Sequence, residues 1–147
     1  MNGIASITVH HEGWDRVFFT DRAQTARRLE SIRSSHLKRL RAGDIGYHFI
    51  IDRAGRLWEG RDLRYQGAHV KNHNPHNIGI MVLGNFDEQR PSQKQYDKLR
   101  VTVGGLMKLY RVAGRRVYTH QELMPTACPG TFLQYHVDQA LRPRLTA

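Results

Sequence analysis

Only one cysteine, Cys128, occurs in the chain, so no disulfide can form within it and a four-cysteine zinc site is excluded. Acidic residues are scarce as well: 13 stand against 23 lysines and arginines, for a formal net charge of +10 and a pI near 10.4. Long apolar runs are missing. The longest, such as Ile78–Leu83, are strand-sized and carry a glycine, far short of the roughly 20 residues that cross a bilayer. The opening MNGIASITVHH has neither a basic leader nor an apolar stretch of roughly 7–15 residues, so no secretory signal is expected. No repeat, low-complexity tract or shift of composition marks a linker.

What is present suits one domain spanning 1–147, with 39% apolar residues to build a core of ordinary size. The positive charge points to a polyanionic partner. Zinc-finger spacing, a recognition-helix signature and RNA-binding aromatic motifs are all lacking, so no specific nucleic-acid partner is expected. The charge predicts steering and leaves the chemistry open.

Strand and helix patterns alternate along the chain. Ile4–His10 has the β-branched content of a strand and runs into the pair His10-His11. Asp21–Arg41 places Ala26, Leu29, Ile32, Leu37 and Leu40 at helical spacing, with Asp21 as N-cap and Gly43 as stop. Gly46–Asp52 and Arg56–Gly60 read as a hairpin around Arg53-Ala54-Gly55, and Asn77–Leu83 as a central strand. Ser92 and Gln95 form a capping box for a helix running to about Ala113, in which Gly104-Gly105 suggest close packing onto a sheet. Arg116–His120 is a short strand ending in a histidine, and Phe132–Leu141 a last helix. The expected fold is α/β: a central mixed β-sheet flanked by helices.

Three segments offer metal ligands: His10 or His11 at the end of the first strand, His120 at the end of a late one, and Cys128 in a loop. Structural zinc is closed by four ligands, usually as two short chelates, and no such pair exists here. One thiolate and two imidazoles gathered from distant positions suit an open site that leaves a corner for water. The rival is a cysteine hydrolase with Cys128 as nucleophile and a histidine as its base. Metal content separates the two.

Five motifs then fall in one order: VHHE (9–12), DIGYHFIIDRAGRLWEGRD (44–62), GAH (67–69), HNIGIMVLGNF (76–86) and THQELMPTACPG (119–130). Together they resemble the zinc-dependent N-acetylmuramoyl-L-alanine amidases of the phage-lysozyme and peptidoglycan-recognition-protein superfamily, over Val9 to Gly130. The resemblance implies that His10, His120 and Cys128 hold Zn2+ in a surface groove. Strand alternation supports His10 over His11, since the two side chains take opposite faces. The family's catalytic tyrosine falls on Tyr47. Phage members carry a lysine two residues before the cysteine, where this chain has Thr126, as many amidase-active recognition proteins do.

The implied reaction is hydrolysis of the amide joining the lactyl group of N-acetylmuramic acid to L-alanine in peptidoglycan. His69 and Asn77 resemble positions near the substrate groove and are expected to bind substrate. Glu122 is a conceivable proton shuttle, with a structural carboxylate the favoured alternative. Trp58 and Arg61 read as packing residues, and His36, His48, His73, His76 and His136 have no assigned task. The expected partner is peptidoglycan, with anionic envelope polymers or an outer-membrane surface attracted by the basic first helix (Arg22, Arg27, Arg28, Arg33, Lys38, Arg39). A monomer without a separate wall-binding domain is expected, made in the cytoplasm and acting on the wall. Binding without catalysis is the alternative, but superfamily members that have lost activity commonly lack the zinc cysteine.

Overall fold

The computed structural model describes residues 1–145. Five strands form one sheet in the order β3-β2-β4-β1-β5, made of β1 (Ser6–His11), β2 (Phe49–Ile51), β3 (Leu57–Glu59), β4 (Asn77–Val82) and β5 (Val117–Thr119). β1 lies parallel to β4 and β5, β4 parallel to β2, and β2 antiparallel to β3, so the sheet is mixed as expected. β4 sits at the centre and is buried along its whole length, which is why its sequence reads as a continuous apolar run.

Helices cover both faces. Ile7, Val9, Ile78, Ile80 and Val82 pack under α2 (Gln93–Tyr110) and the C-terminal helical segment, through Leu99, Val103, Leu106, Leu133 and Val137. That segment runs as α4 (Thr131–His136), a π turn (Val137–Leu141) and α5 (Arg142–Leu145), longer than the sequence pattern suggested. On the opposite face, Ile50, Met81 and Leu83 meet Ile32 of α1 (Arg22–Arg39). No residue of β1 or β5 joins that second cluster. Thr8 and His10, which alternate with Ile7 and Val9, therefore occupy a stretch of sheet that α1 leaves to polar side chains.

The caps form as read: Asp21 accepts from Gln24 N at 2.8 Å, and Ser92 and Gln95 complete a capping box. Other expectations change: the hairpin strands shorten to Phe49–Ile51 and Leu57–Glu59, and α2 ends at Tyr110 instead of Ala113. The helix from Asp21 ends at Arg39 instead of Arg41, leaving Leu40 56% exposed. The last strand stops at Thr119, because Glu122 accepts a hydrogen bond from Thr119 N at 2.7 Å and turns the chain into α3 (His120–Leu123). Gly104 and Gly105 face away from the sheet, and a Cβ at either would meet nothing within 4 Å. They weaken α2 without any gain in packing.

Candidate metal centre

His10 comes from the end of β1, His120 from the first residue of α3 and Cys128 from the loop before α4. Their donor atoms lie within 4.8 Å of one another, with His10 Nδ1 3.6 Å from Cys128 Sγ. Nitrogen and sulfur ligands of one tetrahedral zinc are separated by about 3.5 Å, so the spacing fits the ion. The donor chemistry fits too. His120 Nε2 is buried with no hydrogen-bond partner. Burial holds His10 and His120 below the ordinary histidine range, which keeps both imidazoles neutral, as ligation requires. Burial pushes the Cys128 thiol up to about 12, so only a bound cation would hold it as thiolate near neutral pH. His11 turns to the other face, where its Nδ1 accepts from Phe86 N at 3.1 Å.

The second nitrogen of His10 is also engaged. His10 Nε2 lies 2.9 Å from His69 Nδ1, and His69 Nε2 lies 3.1 Å from the carbonyl oxygen of Asn77. The His69 ring rests on the backbone of β4, where a Cβ at Gly79 would come within 2.6 Å of it. The Asn77 side chain accepts from Thr8 Oγ1 at 3.0 Å and donates to His73 O at 2.9 Å. Both residues expected at the substrate groove are thus buried, with their side-chain polar atoms bonded inside the protein.

Tyr47 stands beside this array, its ring 5.2 Å from that of His10 and 5.5 Å from that of His36. Among the described residues no group takes up its hydroxyl. Burial, and then the nearby Cys128 and Glu12, push the phenol well above its usual range, so it stays protonated and can only donate to an anion. Thr126 lies on the exposed loop, and its Oγ1 accepts from Cys128 N at 3.3 Å, leaving its hydrogen free.

The chain matches the model of the N-acetylmuramoyl-L-alanine amidase family over residues 1–131. It belongs to that family. Peptidoglycan-recognition protein 2 of Holotrichia diomphalia is 32% identical over 133 residues, covering 86% of this chain and 67% of that protein. The N-acetylmuramoyl-L-alanine amidase of Sus scrofa is 31% identical over 132 residues, 85% of this chain but only 21% of that protein. Bumblebee PGRP-SA superposes with a TM-score of 0.85 at 26% identity, covering 97% of this chain and 84% of that one. The amidase LysC from Clostridium intestinale URNW gives 0.76 at 25% identity, covering 92% and 85%. The family therefore includes proteins named for hydrolysis and proteins named for recognition.

Within this amidase-family fold, three further residues shape the site. Arg61 donates to the carbonyls of Ala42, Asp44, Ile45 and Gln66, holding the loop that leads into Tyr47. His36 Nδ1 accepts from Gly46 N at 2.8 Å on the same loop. The Glu12 side chain is only 2% exposed; Oε1 pairs with Arg28 at 2.6 Å while Oε2 has no partner. These roles depend on contacts between distant positions, and only the place of Glu12 directly after His10-His11 hinted at one. Glu122 accepts from Thr119 N and pairs with Arg142, as a structural carboxylate does.

Proposed function

We propose that this chain is a zinc-dependent N-acetylmuramoyl-L-alanine amidase. Its reaction is hydrolysis of the amide between the lactyl group of N-acetylmuramic acid and the L-alanine of the peptidoglycan stem. The observation that carries the reading is the convergence of two imidazoles and a thiol within 4.8 Å, beside a tyrosine hydroxyl that no group among the described residues takes up. Relatives named as amidases, in Sus scrofa and Clostridium intestinale, support it.

His10, His120 and Cys128 would be the three protein ligands. Zinc, when bound, supplies a Lewis acid and a water activated near neutral pH. The thiolate donates charge and makes such a site a weaker Lewis acid than one of three histidines, so hydrogen-bond donors nearby carry more of the catalysis. Tyr47 donates to the oxygen of the scissile carbonyl as charge develops there. Thr126 assists from the opposite loop with the hydrogen that its bond from Cys128 N leaves free. Arg61 and His36 keep the Tyr47 loop fixed, so that this donor needs no reorganisation.

The outer face of α1 supports wall targeting. On α1, Arg28 pairs with Glu12, Arg33 with Glu30 and Asp44, and Arg22 lies over Trp58. Arg27, Lys38 and Arg39 instead flank Ser31, Ser34 and Ser35 along a shallow trough. This surface would draw the enzyme to anionic envelope polymers, at a periplasmic or extracellular site of action. No helix among the described residues is long and apolar enough to cross a membrane.

A second reading, peptidoglycan binding without hydrolysis, is favoured by the relatives named as recognition proteins. A cysteine hydrolase is disfavoured because nucleophilic thiols are activated by a lowered pKa, whereas burial raises that of Cys128. The test is Cys128→Ser. Loss of both stoichiometric zinc and hydrolysis is expected. Hydrolysis by metal-stripped wild type that Cys128→Ser lacks would transfer the case to the cysteine mechanism, hydrolysis by Cys128→Ser without zinc would contradict both mechanisms, and zinc-loaded wild type that only binds would establish the recognition reading.

A further inference from the structure

We infer that His69 is a positioning residue that fixes the tautomer of His10, through a relay running from the backbone carbonyl of Asn77 across two imidazoles to the metal-facing nitrogen. The inference deepens the reading above and rests on it, since it concerns how His10 is presented to the ion.

Each link is determined by what its neighbour can do. The Asn77 carbonyl can only accept, so His69 Nε2, 3.1 Å away, carries the hydrogen. A neutral imidazole has one N–H, and the His69 ring is buried with no carboxylate among its hydrogen-bond partners to hold a second proton, so its Nδ1 is a bare lone pair. That lone pair sits 2.9 Å from His10 Nε2, which must therefore be the donor. His10 spends its one N–H on that bond and is left with an unprotonated Nδ1, the atom 3.6 Å from Cys128 Sγ. The only tautomer that satisfies the whole chain is the one that presents a ligating nitrogen.

The relay is built to be rigid. Asn74 Oδ1 accepts from both His69 N and Val70 N, at 2.8 and 2.9 Å, which fixes the backbone from which the ring projects. Gly67 and Gly79 leave room for the ring, since a Cβ at either would come within 2.6 Å of it. The Asn77 carbonyl belongs to the first residue of β4, anchored by pairing with Ser6. An outer partner that orients a ligating histidine is commonly worth roughly 10–100-fold in metal affinity. His69 thus acts through His10 and requires no contact with substrate.

Two substitutions separate a hydrogen-bonding role from a space-filling one. His69→Gln keeps an acceptor for His10 and a donor for Asn77, whereas His69→Leu keeps volume and loses both. Zinc affinity is measured by chelator competition, and the His10 tautomer by 15N chemical shifts of the metal-free protein. The relay predicts an Nε2–H on both His10 and His69 in wild type. It further predicts zinc binding weakened roughly 10–100-fold in His69→Leu and restored to near wild type in His69→Gln. Unchanged affinity in His69→Leu, equal losses in two folded variants, or an Nδ1–H on His10 would each overturn it. If His69→Leu does not fold, the wild-type tautomers and His69→Gln still decide. Wild type that fails to bind zinc while showing the predicted tautomers would sink the metal reading and leave the hydrogen-bond relay standing.

Discussion

Replacing Tyr47 with phenylalanine removes one hydroxyl and leaves the ring that packs against His10 and His36. Because no described group bonds to that hydroxyl, its loss orphans nothing inside the protein, and folding stability should change by less than about 1 kcal/mol. The ring is no ligand, so zinc content should be unchanged. Catalysis should suffer far more. A single preorganised donor to a developing oxyanion is worth about 2.7–4 kcal/mol, equivalent to a fall of roughly 10²–10³ in kcat. The assay follows release of peptide from purified peptidoglycan at saturating substrate, with metal analysis and thermal unfolding on the same samples. A folded, zinc-loaded Tyr47→Phe with wild-type turnover would refute the donor role and return Tyr47 to packing. A loss of rate that tracks a loss of zinc would refute the separation of roles.

Gly104→Ala and Gly105→Ala should each stabilise the protein by about 0.5–1 kcal/mol, since both glycines lie in an exposed helix interior with open space at the Cβ position. Chemical denaturation checks this, and destabilisation would reveal a partner for that face. Reversing charge on α1 with Arg27→Glu and Lys38→Glu should slow lysis of intact walls more in about 0.01 M salt than in about 0.15 M, where the screening length shrinks from about 30 to 8 Å. Equal loss at both salt concentrations would count against electrostatic targeting.

Local physics made much of the fold legible. Asp21 and Ser92 announce helix starts because capping is decided within three or four residues, and β4 reads as central because burial on both faces leaves no polar alternation. His120 misled for the complementary reason: Val117–Thr119 has strand character, and the turn that follows depends on Glu122, itself held by Arg142 from the far end of the chain. Gly104-Gly105 suggested close packing, but a glycine does not encode the side of a helix on which it falls. At the site, residue types and order pointed to His10, His120 and Cys128, while their convergence joins positions up to 118 apart. The partners of His69 and Arg61 were likewise out of reach, since both are reached only when loops fold onto the sheet.

The proposed reaction cuts one amide and needs one metal ion. Purified peptidoglycan, digested by zinc-loaded and by chelator-stripped protein and analysed by mass spectrometry, tests it most directly. The expected products are muramic acid with a free lactyl carboxyl and stem peptides with a free N-terminal L-alanine, absent after stripping and restored by zinc. New ends at any other bond, no new ends with zinc bound, or undiminished cleavage by metal-free protein would contradict it.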